Sequence, residues 1–230
     1  MKLLYLLLNI GSISVPFLFS FHPKIKLYKR WKALFIAILT TMTFYIIWDI
    51  IFTKIGVWGF NPNYYIGIKL FNLPFEEVLF FICIPYACVF THYALLYYFP
   101  KWHISKRTTL LTSIVILLVL SIIGIYNVNQ LYTCINAIVA IIVLSFTLKH
   151  QFQLLQKFYL TFLVMLIPFL LVNGTLTGSF IEDEVVWYDN TENLNIRLFT
   201  IPIEDSIYAF SLILSNLALT QYFQAKLFFK

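Results

Sequence analysis

Two short stretches each place a pair of acidic residues at the start of an apolar segment. LPFEE carries Glu76 and Glu77, and IPIED, near the other end of the chain, carries Glu204 and Asp205. An ionised side chain at the end of a membrane span costs free energy unless it is hydrated or paired, and an acidic side chain can also avoid this cost by taking up a proton. Burial favours the neutral form of a carboxyl group, and a like charge nearby keeps one member of a pair protonated. Such groups can serve as general acid and general base, so we predict that all four are catalytic.

The prolines ahead of these acids offer a purely structural explanation. Pro74 and Pro202 suit the first turn of a helix, where a missing N–H is no loss. Acidic residues in that turn complement the helix dipole by about 0.3–1 kcal/mol. The recurrence of the phrase favours a shared site over two ordinary helix starts. Because adjacent helical residues point about 100° apart, we expect the close pairing to run between the two phrases, for example from Glu76 to Glu204.

The composition indicates a chain that is surrounded by lipid. Of its 230 residues, 61% are hydrophobic and 11% are charged, whereas soluble domains carry about 25% charged residues. The mean hydropathy is +0.86. We therefore predict an all-α fold, a polytopic membrane helical bundle of about seven transmembrane helices. The candidate apolar spans are 3–20, 33–52, 76–99, 109–126, 130–147, 157–173 and 203–224.

Basic residues predict the orientation of this bundle, because Lys and Arg are enriched in cytoplasmic loops. Most of the 16 Lys and Arg follow the first, third, fifth and seventh spans, ending with Lys226 and Lys230. We therefore expect an integral protein of the cell (inner) membrane with its N-terminus outside and its C-terminus in the cytoplasm. The acidic segment FIEDEVVWYDNTE then forms an outer loop, which we expect to be solvated.

The charge pattern also bears on partners and on processing of the first span. The net charge of +6 follows from the topology, so we predict no nucleic-acid partner. A cleaved signal peptide is an alternative for the first span, but the basic cluster after its apolar run favours an anchor.

The acidic phrases belong to a longer internal repeat. Aligning IIWDIIFTKIGVWGF with LLVNGTLTGSF places Asp49 on Asn173, and LPFEE then falls on IPIED. Each unit has three spans, and the fourth span restores the chain direction, so the two repeats are parallel and both phrases lie on the same side. We therefore divide the chain into a first three-helix repeat at 1–99, a linking helix at 100–128 and a second three-helix repeat at 129–230.

The remaining motifs narrow the chemistry. The chain has no G-x-G-x-x-G, no P-loop and no H-E-x-x-H, and its three cysteines lack metal-ligand spacing. We predict neither a cofactor nor a metal. Aromatic residues crowd the acidic end of the bundle; most suit the interfacial belt, and a minority facing inward would stabilise a cation. Acid, base and aromatic walls suggest proton-initiated rearrangement of a lipid-soluble alkene.

Three stretches of the chain resemble the membrane-integral lycopene cyclases of the heterodimeric type. They are GVWGFNPNYYIGIKLFNLPFEEVLFF, its weaker partner VNGTLTG, and IPIEDSIYAF. Here the two halves are fused in one chain, as in the fungal bifunctional and archaeal forms. The resemblance implies a cofactor-independent isomerisation. An acid protonates the terminal double bond of lycopene or a related linear carotene, the cation closes a ring, and a base removes a proton to leave a β-ionone ring.

The resemblance also implies roles for particular residues. The important carboxylates of the family map onto the four acids of the two phrases, and we expect Asp49, Trp58 and Asn173 to contact the substrate. The second half lacks the W-x-F-N-P stretch and has Asn173 where the first half has Asp49, so the halves should have unequal roles. The expected partners are the carotene, the lipid bilayer and other carotenoid enzymes.

Two functions of other classes stay open. A small proton-coupled membrane transporter would also use repeats and intramembrane acids, although such sites lie near mid-depth rather than at one end of the helices. A protein that serves only in assembly would use its acids to pair with lysines such as Lys54 or Lys69.

Overall fold

The computed structural model describes residues 1–228, so Lys230 of the predicted cytoplasmic tail lies outside the described residues. Within this range the chain forms long helices joined by short connections, with a 3₁₀ turn at Leu27–Arg30. The helices are α1 (Leu4–Phe19), α2 (Trp31–Ile55), α3 (Phe75–Tyr98), α4 (Lys106–Tyr126), α5 (Leu131–His150), α6 (Phe152–Leu176) and α7 (Ile203–Phe228). Each coincides with one of the predicted apolar spans, which confirms the all-α membrane bundle.

The helices differ in how well they suit the bilayer, which requires roughly 20 apolar residues in a spanning helix. Helices α2 to α6 are long and apolar enough to cross. Helix α1 is apolar but has only 16 residues. Helix α7 has 26 residues, and its buried side carries Ser211, Asn216 and Thr220. These polar groups lower its hydropathy, yet they face the bundle interior, where membrane proteins tolerate them.

Short strands cap one end of the bundle. Three antiparallel pairs form there: β1 (Trp58–Phe60) with β4 (Val186–Tyr188), β2 (Lys69–Leu70) with β3 (Leu73–Pro74), and β5 (Arg197–Leu198) with β6 (Ile201–Pro202). The β2–β3 hairpin leads directly into α3, and the β5–β6 hairpin leads directly into α7. The prolines therefore lie one residue ahead of the helices rather than in their first turn.

The two hairpins have the same local structure. Phe71 and Phe199, at their tips, both have φ of 58°. The first amide of each following helix closes the hairpin, with Phe75 N–H donating to Ile68 at 2.9 Å in the first and Ile203 N–H donating to the Ile196 carbonyl at 3.0 Å in the second. The internal repeat is thus visible in hydrogen bonds as well as in sequence, while the proposed boundaries 1–99, 100–128 and 129–230 stay a prediction.

The segment that contains β4 differs from the solvated outer loop expected for it. Its acidic part, 182–184, is exposed as expected, but Val185 and Val186 are buried and β4 pairs with β1. Apolar side chains in this segment cover the end of the bundle, while Glu192 accepts the backbone N–H of Leu131 at the start of α5 at 2.9 Å. The segment is therefore part of the roof over the helices, and it brings Tyr188 toward the interior.

Candidate active site

An elongated cavity of about 500 Å³ runs between α1, α3, α6 and α7 beneath the strand-capped end. Its two ends differ in chemistry. The end below the strands is lined by carboxyl, amide, indole and phenol groups, and the remainder is lined by apolar side chains such as Ile84, Phe162 and Met165. A long apolar molecule would fit with one terminus among the polar groups.

Glu77 and Asp49 form a pair of carboxyl groups in the polar end. Both are buried, and both line this end of the cavity. Tyr5 donates its phenol to Glu77 Oε2, and Trp58 donates its indole N–H to Asp49 Oδ1 at 2.5 Å. Two carboxyl groups buried in one water-poor space do not both ionise readily, because each charge raises the cost of the other, so we expect one of the two to hold a proton.

Asp205 has a different environment on the opposite side of the cavity. Its oxygens accept hydrogen bonds from the Tyr132 phenol at 2.5 Å, the Asn173 amide at 2.6 Å and the Tyr188 phenol at 3.0 Å. Three donors stabilise the ionised form of a carboxyl group. Burial and the nearby Asp205 charge raise the pKa of Tyr188 well above its ordinary value, so this phenol stays protonated and keeps donating.

Glu76 and Glu204, the other two acids of the repeated phrase, are turned away from the cavity. Glu76 Oε1 accepts the backbone N–H of Ile66 at 2.8 Å, and Glu204 Oε1 accepts the backbone N–H of Leu194 at 2.7 Å. Thr133 also donates to Glu204 at 2.7 Å. Each carboxyl group therefore fastens the loop before its own helix.

The structure does not pair Glu76 with Glu204, contrary to the expectation from sequence. The reason is the helical geometry on which the expectation was based. With about 100° between neighbours, a helix that turns Glu77 or Asp205 into the cavity turns the preceding glutamate toward its hairpin. The cavity thus receives one acid from each phrase, together with Asp49, Trp58 and Asn173, the three residues expected to contact substrate.

Three tyrosines that hydrogen-bond the cavity acids were missed as functional residues. Tyr5 and Tyr132 belong to a second repeated phrase, YLLLN at the start of α1 and YTCIN at the start of α5. Its asparagines donate to the backbone carbonyls of Glu76 and Glu204 at 2.8 and 2.7 Å. The repeat of this phrase marks both tyrosines from the sequence alone. Tyr188 had no such signal, because its position depends on the pairing of β4 with β1.

Aromatic rings form the walls between the two acidic groups. The Trp58 and Tyr132 ring centroids are 5.1 Å apart, and Tyr132 stacks on Tyr188 at 5.7 Å. Tyr208, one turn along α7 from Asp205, also lines the cavity. Aromatic faces attract cations, most strongly where water is excluded. Among residues 1–228, no group of three or more His, Cys, Asp and Glu has the arrangement of a metal site.

The fold and the site together define a polytopic membrane protein with duplicated three-helix units that bring carboxyl groups to one end of an apolar cavity. A sequence model of the lycopene cyclase family matches residues 2–95 and 129–223. The chain belongs to the lycopene cyclase family. The two matched segments agree with the internal repeat, and the stretch between them contains α4.

One curated relative gives a shorter match. The chain is similar to the bifunctional lycopene cyclase/phytoene synthase of Aspergillus niger, with 30% identity over 79 residues. That match covers 32% of this chain and 13% of the relative. No solved structure matches the chain.

Proposed function

We propose that the protein cyclises an end of a linear carotene such as lycopene to a β-ionone ring, without a cofactor. The observation that carries this proposal is that two buried carboxyl groups, Glu77 and Asp49, line the same end of an apolar cavity as Asp205, a carboxyl group with three hydrogen-bond donors. The family match and the similarity to a bifunctional lycopene cyclase support a carotene as substrate.

The Glu77–Asp49 pair is the general acid in this proposal. The proton held by one of these two carboxyl groups is transferred to the terminal carbon–carbon double bond of the carotene, which leaves a tertiary carbocation. The hydrogen bonds from Tyr5 to Glu77 and from Trp58 to Asp49 then stabilise the negative charge that the pair acquires. An acid in a dry cavity protonates a weakly basic alkene better than one in water, because it has no solvent to protonate instead.

The aromatic walls stabilise the cation while the ring forms. The electrons of a double bond further along the polyene attack the cationic carbon, and the new carbon–carbon bond closes a six-membered ring and moves the positive charge into it. Trp58, Tyr132 and Tyr188 present ring faces close to Asp205 and Asp49, where this charge develops. A cation–π contact in a desolvated site is worth about 2 kcal/mol.

Asp205 is the general base. It removes a proton from a carbon next to the cationic centre, and the electrons of that C–H bond form the ring double bond. One proton is added and one is removed, so the product is an isomer of the substrate and the reaction is that of an intramolecular lyase or isomerase. The proton on Asp205 returns to the Glu77–Asp49 pair before the next turnover.

The orientation of the bundle in the membrane belongs to the same proposal. The basic residues after α1, α3 and α5 lie at the end of the bundle opposite the strands, and they support a cytoplasmic location for that end. The strand-capped end with the acidic groups then faces outward, in the cell (inner) membrane. Labelling of single cysteines placed at Lys54 and at Lys106 by a membrane-impermeant reagent tests this, with only the first reacting from outside.

Expression in lycopene-accumulating cells tests the function. We expect cyclised carotenes with the native chain and at least a 100-fold loss of ring formation in Glu77→Gln and in Asp205→Asn, with membrane levels preserved. Glu182→Gln, which changes an exposed acid of the roof segment, is the matched control and should retain activity. Lycopene that stays linear beside a well-inserted native protein would overturn the proposal.

A further inference from the structure

The cavity is long enough to take an extended hydrocarbon chain. Along α3 its lining includes Glu77, Ile84 and Thr91, which lie on one face of the helix at intervals of seven residues. At 1.5 Å per residue this face extends about 21 Å. The cavity therefore reaches from the acids below the strands well past the middle of the membrane, and its shape is that of a tunnel rather than of a pocket for a compact molecule.

One wall of this tunnel is open to the surroundings of the bundle. Leu7 and Gly11 of α1 and Pro168 of α6 line the cavity and are nevertheless exposed, Leu7 to 59%. In a membrane bundle these exposed surfaces meet lipid tails. An opening between α1 and α6 thus connects the apolar part of the tunnel to the hydrocarbon core of the bilayer.

The corresponding place in the other repeat is filled. In the repeat alignment Val172 of α6 corresponds to Trp48 of α2, and Ser12 of α1 corresponds to Val139 of α5. Trp48 and Val139 are buried in one aromatic and aliphatic cluster with Leu212 of α7. The Trp48 ring also lies 5.1 Å from that of Tyr208. Larger side chains therefore close the second tunnel that the repeat would otherwise create.

We infer that a linear carotene enters sideways from the bilayer through the gap between α1 and α6, and that the protein holds only one end of it at a time. This inference rests on the proposed function for the identity of the chain that enters. The portal is defined by Leu7, Gly11 and Pro168. Because the second tunnel is closed, a carotene with two linear ends must leave and re-enter in the reverse direction before its second end can react.

Gly11 allows a direct test of the portal. A Cβ added at Gly11 meets no atom within 4 Å, so a large side chain can be introduced without disturbing the packing. We expect Gly11→Phe to lower the initial rate of carotene uptake at least tenfold. Ile10→Phe is the matched control: Ile10 is the neighbouring exposed residue, it does not line the cavity, and its variant should take up carotene within twofold of the native rate. Leu7→Trp provides a second obstruction in case Gly11→Phe does not insert.

Uptake should be measured so that it does not depend on ring formation. The full chain in lipid nanodiscs is mixed with vesicles loaded with lycopene and re-isolated at intervals, and the total carotene retained is read from its absorbance. Equal uptake by Gly11→Phe, Leu7→Trp and Ile10→Phe overturns the portal. Retained lycopene that never acquires a ring, with uptake slowed by the portal variants, upholds the portal and refutes the cyclase.

The closed second tunnel predicts the order in which the products appear. With lycopene in large excess over protein, we expect the singly cyclised carotene to form nearly all of the early product and to fall later as it re-enters. Doubly cyclised carotene appearing from the first turnovers without a free singly cyclised precursor would overturn it.

Discussion

Tyr5 and Tyr132 hold repeat-related positions at the starts of α1 and α5, and each donates its phenol to the cavity acid of its own half. Tyr5 bonds Glu77 and Tyr132 bonds Asp205. The surroundings of the two bonds differ, because Glu77 lines the cavity together with a second carboxyl group, Asp49, whereas Asp205 also accepts hydrogen bonds from an amide and another phenol. A duplicated framework therefore places two carboxyl groups in different surroundings, which the proposed division into acid and base requires.

Removal of the Tyr5 or the Tyr132 phenol should have a larger effect on the rate of ring formation than on the stability of the fold. A hydrogen bond to a charged group is worth about 1.5–3 kcal/mol, so Tyr5→Phe and Tyr132→Phe should each slow ring formation roughly 10- to 100-fold. The measurement is the initial rate of cyclised product per folded protein in detergent or nanodiscs.

A third tyrosine serves as the control for these two variants. Tyr45 is also buried and donates to Ser211 at 2.9 Å, but it does not line the cavity. Tyr45→Phe should retain most of the activity at a modest stability loss. Similar rate losses in all three variants would indicate that general packing, and not support of the acids, explains the effect.

The glutamates that face the hairpins should behave in the opposite way to the cavity acids. Glu76→Gln and Glu204→Gln weaken the bonds to the Ile66 and Leu194 amides, and a poorly satisfied buried group costs about 1–3 kcal/mol. We expect a lower thermal unfolding temperature for both, with turnover of the folded fraction within about tenfold of native. Asp205→Asn should show the reverse, with a nearly native unfolding temperature and little turnover.

One result would contradict this contrast between the hairpin-facing glutamates and the cavity acids. If Glu204→Gln loses turnover as completely as Asp205→Asn while remaining equally stable, then the glutamate takes part in proton transfer, and the assignment of roles by orientation is wrong.

The amide at position 173 should be needed for the base. Asn173 donates to Asp205 Oδ2 at 2.6 Å. Asn173→Asp copies the residue at the corresponding position of the first repeat, but it replaces a donor with a second acceptor, so Asp205 loses one of its three donors and gains an acidic neighbour. We expect at least a tenfold lower rate of ring formation. Asn173→Gln, which retains an amide, should recover part of this rate. A fully active Asn173→Asp would show that the base does not need the amide.

Gly59 should be required for the roof over the cavity. A Cβ at this residue of β1 would lie 2.3 Å from Cζ2 of Trp187, which is closer than real contacts allow. Gly59→Ala should therefore displace the indole, shift the tryptophan emission spectrum and lower the unfolding temperature. Gly11→Ala is the stability control, because its Cβ meets nothing and Ala favours a helix by about 1 kcal/mol. An unchanged spectrum in Gly59→Ala would show that the Trp187 ring does not pack on this strand in solution.

The spans and the repeat could be predicted from the sequence because the bilayer fixes helix length and the duplication recurs in the residues themselves. The orientation of neighbouring acids was harder. The sequence marks Glu76 and Glu77 equally, and only the packing of α1 against α3 determines which one meets the cavity. Tyr188 could not be assigned from sequence, since it reaches Asp205 through the pairing of two strands that are distant along the chain.

The β1–β4 pair has a consequence for how the halves of the protein stay matched. Its register sets Trp58 opposite Tyr188 and Phe60 opposite Val186, and a slip by one residue reverses the face to which every side chain points. Such a slip would turn Tyr188 from Asp205 and disturb Trp58 beside Asp49. The three paired positions of these strands thus keep the carboxyl groups of the two halves aligned with each other across the cavity.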